Sequence, residues 1–267
     1  MENRLIIVEG LPCVGKSTTS NNISRILNKY SIKNSCLKEG DINHPADYEF
    51  HAYFHDYELE KFKKDLTEKI KRYSNKALDG YIFPLTKAGD DLELLIKNKI
   101  YDYLPWEVER KVMLYGWKRF VKTRNESKVY IFNCCMLQNP MCETMMRFNQ
   151  SEAESKNYIN NIFEIVEKLN PLLIYLKTEN VYKRVEEVCK ERDDKWLESV
   201  IKYHENGAYG LENDIKGFEG YIDCLKERQR RELEIVKSLS IKNRVISNPF
   251  ENWDKSLEEI ELFLDIK

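Results

Sequence analysis

The chain has 267 residues, with 43 Lys and Arg against 45 Asp and Glu, for a net charge of −2. That balance leaves no electrostatic footprint for nucleic acid and no polybasic surface for anionic membranes. No apolar run approaches the roughly 18 residues that a bilayer span requires. The N-terminus enters a buried strand without the charged and apolar regions of a signal peptide, so a cytoplasmic protein is expected. Seven cysteines, odd in number and irregular in spacing, argue against a disulfide framework.

The first apolar run, Leu5-Ile6-Ile7-Val8, reads as a strand. Directly after it, Gly10-Leu11-Pro12-Cys13-Val14-Gly15-Lys16-Ser17 spell G-x-x-x-x-G-K-S. This is the phosphate-binding loop in the strand-loop-helix context that its mechanism requires. Backbone N–H groups from Gly10 through Cys13, Val14 and Gly15 to Thr18 are expected to wrap nucleotide phosphates, helped by the positive end of the following helix. Lys16 is expected to reach the β/γ oxygens and the Ser17 hydroxyl to bind Mg²⁺. An amphipathic segment carrying Ile23, Ile26, Leu27 and Tyr30 follows.

A second strand is expected at Ser35–Lys38, and after it come Glu39, Asp41, His44 and Asp47 in a turn bracketed by Gly40 and Pro45. A carboxylate at a strand's carboxyl end can accept a proton from an attacking hydroxyl or hold a metal's water shell. About ninety residues then intervene before the third strand, too many for one crossover. Tyr57–Tyr73, Asp90–Leu104 and Trp106–Arg124 read as helices, and Gly80–Ala88 as an extended piece broken by Pro84. His51 and His55 form an i,i+4 pair but lack the acidic partners of a zinc motif.

The third strand, Val129–Phe132, leads into Asn133-Cys134-Cys135-Met136-Leu137-Gln138-Asn139-Pro140. Phosphoryl-transfer enzymes with this loop usually end that strand in an acid that holds Mg²⁺, whereas this chain has Asn133. Gln138 and Asn139 could read a substrate through paired donors and acceptors, or cap a turn before Pro140. Cys134, Cys135 and Cys142 read as buried thiols rather than metal ligands. Ser151-x-x-Glu154 is a capping box opening a helix.

Beyond the fourth strand, Leu172–Leu176, a helix carries Arg184 and Arg192 eight residues apart and so on one face. Cations there suit a lid that neutralises transferring phosphate charge. Asn206–Gly220, with four glycines, reads as a mobile or substrate-facing loop, and Arg228, Arg230 and Arg231 as a solvated face. Arg244–Ile246 makes the fifth strand. Strands alternating with helices predict an α/β fold: a five-stranded parallel doubly wound sheet with a helical insertion between strands two and three. We expect one domain over residues 1–267, the insertion spanning about 50–126, with the ligand outside the carboxyl ends of the strands.

The run Val8-Glu9-Gly10 through Gly15-Lys16-Ser17-Thr18 resembles the start of thymidylate kinases and deoxynucleoside kinases. The resemblance implies a five-strand sheet, ATP and Mg²⁺. It also implies an acidic base after strand two, where Glu39 and Asp41 stand with Asp41 slightly preferred, and lid arginines, which Arg184 and Arg192 supply. The Asp-Arg pair that thymidylate kinases carry after strand three is absent. The blocks EGDINHPADYE (Glu39–Glu49) and CCMLQNP (Cys134–Pro140) look like those of a functionally undefined group of bacterial P-loop proteins. In that group a Glu is expected at the place of Asn133, which implies an acid lost here.

The expected activity is ATP- and Mg²⁺-dependent phosphoryl transfer to a small molecule, a nucleoside or nucleotide or an amino-sugar antibiotic among the acceptors. Asn133, Gln138, Asn139 and His44 are the expected acceptor-binding residues. An NTP-hydrolysing switch and a nucleotide-binding pseudoenzyme stay open as alternatives. No nucleic-acid or membrane partner is expected, and the sequence leaves the oligomeric state open.

Overall fold

A computed structural model describes residues 2–266, which cluster into two compact units. The chain begins with β1 (Leu5–Gly10), α1 (Lys16–Lys29) and β2 (Asn34–Leu37). Then come β3 (His51–His55), α2 (Lys64–Tyr73), β4 (Asn75–Ala77), β5 (Gly80–Pro84), α3 (Leu92–Leu95) and α4 (Trp106–Thr123). Next are β6 (Val129–Asn133), α5 (Gln138–Met141), α6 (Glu152–Val166), β7 (Leu172–Lys177) and α7 (Val181–Cys189). The last elements are α8 (Asp194–Asn206), α9 (Ala208–Glu212), α10 (Gly217–Ser238), β8 (Lys242–Ser247) and α11 (Trp253–Leu264).

The first unit, residues 1–39 and 125–267, is built on a five-stranded sheet in the order β2-β6-β1-β7-β8, every pair parallel. All six residues of β1 are buried, which fits a central strand covered on both faces. Successive side chains alternate faces, and Leu5 and Ile7 are as fully enclosed as Ile6 and Val8. Ile6 and Val8 share one core with Ile23 and Leu27 of α1, Ile222 and Leu225 of α10, and Ile260 and Leu264 of α11. The expected α/β architecture and its five strands are present, each strand within about two residues of its sequence bounds. The Ser151 cap of α6 forms as expected: its hydroxyl accepts from Glu154 N at 3.2 Å, and Glu154 Oε2 accepts from Ser151 N at 2.9 Å.

The second unit, Gly40–Arg124, contains the antiparallel sheet β3-β5-β4 and a core of Phe54, Leu66, Ile70, Phe83 and Leu95. The expected helix at Tyr57–Tyr73 is two pieces, a 3-10 segment Asp56–Lys61 and α2, separated by extended backbone at Phe62 and Lys63. The expected helix at Asp90–Leu104 is broken further. Only α3 and flanking 3-10 turns form, and Tyr101 and Asp102 take left-handed φ of 64° and 68°. The buried Glu109 carboxylate of α4 holds the Tyr101 N–H at 3.1 Å, which fixes that turn against helical continuation.

Two further expectations fail in the first unit. Asn206–Gly220 is mostly helical, α9 and the start of α10, because Tyr221, Ile222 and Leu225 dock α10 into the core. Arg228 is not on a solvated face. It is 1% exposed, with Nε 3.2 Å from the equally enclosed Glu232 and Nη1 3.2 Å from Cys142 Sγ. Tyr175 of β7 donates to the other Glu232 oxygen at 2.6 Å. Among the described residues no helix is long and apolar enough to cross a membrane, and all seven cysteines are free.

Removing one member of a buried ion pair strands the other charge. Glu232→Ala should therefore destabilise the chain by about 3–5 kcal/mol, and the double change Arg228→Met/Glu232→Leu should cost much less. Urea-unfolding midpoints of the two variants check this; equal losses would contradict it.

Candidate functional site

The carboxyl end of β1 builds the site. Gly10 has φ +139°, and a Cβ there would lie 2.3 Å from the Leu176 carbonyl oxygen of β7, so only glycine lets the chain turn away so close to its neighbour. The loop then runs over Cys13, at φ 74°, and Gly15, at φ 94°, into α1. The ring of Trp253 from α11 stands 2.5 Å from where a Gly15 Cβ would be. Leu11 and Val14 are anchored in the core, so Val14 faces a ligand only through its backbone. Lys16 is 6% exposed and its ammonium donates to Leu11 O at 2.7 Å, closing the loop on itself. Ser17 and Thr18 are exposed at the first turn of α1.

Strand ends on either side supply the rest. Asn133 closes β6, 2% exposed, and its Nδ2 donates to Ser17 Oγ at 3.2 Å. Cys134 takes a left-handed φ of 71° and brings its thiol within 2.8 Å of Asn133 Oδ1 and 3.2 Å of Glu39 Oε2. Burial pushes that thiol well above its ordinary value, so it stays protonated and is shared between the two oxygens. Gln138 Nε2 donates to Glu39 Oε1 at 2.7 Å. The expected members Ser17, Asn133, Gln138 and Glu39 are therefore brought together. Asn139 enters through its backbone, its N–H donating to Cys134 O at 3.0 Å to close the turn.

A residue that motif reading passed over organises this cluster. Glu9, wholly enclosed, accepts from Met136 N at 2.7 Å, Leu137 N at 3.0 Å and Gln138 N at 3.0 Å. A carboxylate ending an otherwise apolar strand was the available signal. Burial pushes Glu9 up to about 7, an effect the three backbone donors partly offset.

The two arginines need a correction. They do not share a helix face, because α7 ends at Cys189 and Asp193 caps the next helix by accepting from Trp196 N. Arg184 lies on α7, with Nε on Cys13 O at 2.8 Å and its guanidinium 4.1 Å from the Phe250 ring centroid. Arg192 lies in the turn after α7, stacked 4.3 Å from the Trp196 ring centroid. Both nonetheless reach the loop electrostatically: burial raises the Cys13 thiol, and Arg192, Lys16 and Arg184 pull it back down. Beside them a cavity of about 280 Å³ opens between the segments following β7 and β8, with Arg184, Asn180, Asn248 and Phe250 on its walls.

Asp41 and His44 belong to the second unit. Asp41 Oδ1 accepts from Asn43 N at 2.9 Å within its own turn. His44 is buried, its Nδ1 accepting from Ala46 N at 3.2 Å, and burial lowers it to about 4. His51 and His55 stand on β3, where four residues span ~13 Å, and each is bound elsewhere: His51 to Glu49 O at 2.8 Å, His55 to Asp79 Oδ2 at 3.1 Å. No cluster of three or more metal-ligating side chains occurs among the described residues.

Residues 4–78 match the model of a P-loop NTPase-like family described as "Chromatin associated protein KTI12". The match covers less than a third of the 267 residues and includes the whole phosphate loop. No curated protein matches the chain. The loop, the parallel sheet and this similarity together describe a nucleotide-binding P-loop protein.

Because its folded-state value is raised from 4.5 to about 7, Glu9 contributes stability that is fully present below about pH 4.5 and is lost as pH rises through about 7. Relative to Glu9→Gln, the natural chain should lose up to about 3 kcal/mol across that window. Urea midpoints of both proteins at pH 5 and pH 8 test it; parallel pH profiles would contradict it.

Proposed function

We propose that this chain is a kinase, transferring the terminal phosphoryl group of ATP, with Mg²⁺, to a hydroxyl of a small polar metabolite. The observation that carries this reading is the Glu39 carboxylate, held by Gln138 and Cys134 in the same strand-end cluster as the Ser17–Asn133 pair. A nucleotide switch needs, besides the phosphate loop, a residue that positions water and segments that sense the γ-phosphate. An acid oriented at the strand ends is what an attacking hydroxyl requires.

The residues present fit the nucleotide. The loop turns at Gly10 and Gly15 with left-handed φ, and Lys16 is already inside it. Bound Mg²⁺·ATP would supply the phosphoryl group and a compensating divalent charge. Ser17 would hold the metal, and Lys16, Arg184 and Arg192 would offset charge on the phosphate oxygens as the bond to ADP breaks and the bond to the acceptor oxygen forms. Glu39 would take the acceptor's proton. We assign that role to Glu39 rather than to Asp41, because the Glu39 carboxylate joins Gln138 and Cys134 in the strand-end cluster, whereas Asp41 accepts from Asn43 N in its own turn. Gln138 positions Glu39 and, with Asn133, offers amide groups to the acceptor.

A second reading draws on Asn133. Its amide is bonded to Ser17 on one side and Cys134 on the other, and it brings no negative charge to a metal there. That favours a nucleotide-binding module with little or no transfer.

ATP turnover, measured with and without a mixed metabolite pool, separates these readings. Turnover that depends on the pool supports the kinase; basal turnover supports a switch, and binding without turnover a module. Lys16→Ala should abolish transfer at saturating Mg²⁺·ATP while the fold survives. Glu39→Gln should lower kcat about a hundredfold or more with nucleotide affinity retained. Wild-type rates in Glu39→Gln would remove Glu39 from the mechanism.

A further inference from the structure

We propose that the second unit carries a ligand site of its own, for a small organic dianion borne on an apolar ring. The site is a cavity of about 470 Å³ formed entirely by residues of the Gly40–Arg124 unit. That volume falls within the range of small-molecule sites.

Charge selects the ligand. The walls include two cations, Arg119 of α4 and Lys87, and no Asp or Glu. Three acids flank its first wall in sequence and none lines it: Asp41 accepts from Asn43 N at 2.9 Å, Asp47 accepts from Tyr101 Oη at 2.5 Å, and Glu49 faces Lys99 at 3.7 Å. Arg119 is half-buried and forms no ion pair among the described residues. Its company is the Tyr48 hydroxyl, which burial pushes up and the guanidinium pulls back down. A partly desolvated guanidinium without a carboxylate is unfavourable, and a doubly charged ligand meeting Arg119 and Lys87 would neutralise both.

The remaining walls define what carries the charge. Tyr48 is 3% exposed, and its ring meets the His51 ring edge-on at 5.8 Å between centroids. With Phe50, Pro45 and Pro84 it makes an apolar surface suited to a flat ring. Burial lowers His51, so its imidazole is neutral near pH 7, and its Nδ1 is committed as donor to Glu49 O. Nε2 is then left as an acceptor for a hydroxyl or amine on the ring.

Saturation-transfer NMR on the full chain tests this with three probes: phenyl phosphate, phthalate and neutral benzyl alcohol. Both dianions should bind saturably and benzyl alcohol should not displace them. Arg119→Gln should weaken both about tenfold or more, and the exposed Lys87→Gln should weaken them less, with melting temperatures near that of the natural chain. Phthalate binding should persist in Lys16→Ala. No saturable binding, equal binding of the neutral probe, or indifference to both substitutions would overturn the proposal. So would phenyl phosphate binding alone, abolished by Lys16→Ala, since the anion would then belong to the phosphate loop.

Discussion

Glu9 is a carboxylate with no exposed surface, and three consecutive backbone N–H groups from Met136, Leu137 and Gln138 converge on it. Burying an acid is costly unless its oxygens are satisfied, and those amides would be orphaned without it. The carboxylate sits one residue before Gly10, so it joins the root of the phosphate loop to the turn that follows β6. Everything chemical in the first unit hangs on that join. Asn133 reaches Ser17, and Gln138 reaches Glu39, because the turn between them is pinned to β1. Beneath it, Tyr175, paired beside Glu9 in the sheet, ties to Glu232 and thence to Arg228.

The phosphate loop gathers positive charge from its own lysine and from two arginines more than 160 residues away in the sequence. Lys16 lies inside it, Arg184 grips its Cys13 carbonyl from α7, and Arg192 acts on Cys13 from the turn beyond. Aromatic rings hold these cations in place, Phe250 for Arg184 and Trp196 for Arg192, limiting the side-chain entropy lost when an anion arrives. The acid side is sparse. Glu39 is exposed and oriented, Glu9 is consumed by backbone, and the end of β6 is an amide. This inventory fits phosphate binding closely, and it would leave a divalent metal with fewer negative neighbours than a strand-end acid would give.

Much of the sheet was legible in the sequence because buried parallel strands are short apolar runs and the phosphate loop has a fixed spelling. Ser151 and Glu154 announced their helix because a capping box is local chemistry. What the sequence hid depends on tertiary partners. Arg228 reads like its neighbours, the exposed Arg230 and the half-buried Arg231, until Glu232 and Tyr175 enclose it. The helix through Arg192 looked continuous because the cap at Asp193 restarts helical periodicity at once. Tyr101 and Asp102 break an otherwise helical pattern because Glu109, eight residues after Tyr101, claims a backbone N–H. Glu9 stands beside the phosphate-loop motif, but its structural role is hidden in the sequence because its three donors lie more than a hundred residues away.

The central claim is that a nucleotide's phosphates sit in the Gly10–Ser17 loop and that Glu9 makes the turn after β6 part of that site. Amide hydrogen exchange with and without a non-hydrolysable Mg²⁺·ATP analogue tests it most directly. The account predicts increased protection at residues 10–17 together with residues 133–139, and loss of the second effect in Glu9→Ala. Unchanged exchange in the phosphate loop, or protection there with none at residues 133–139 in the natural chain, would contradict it.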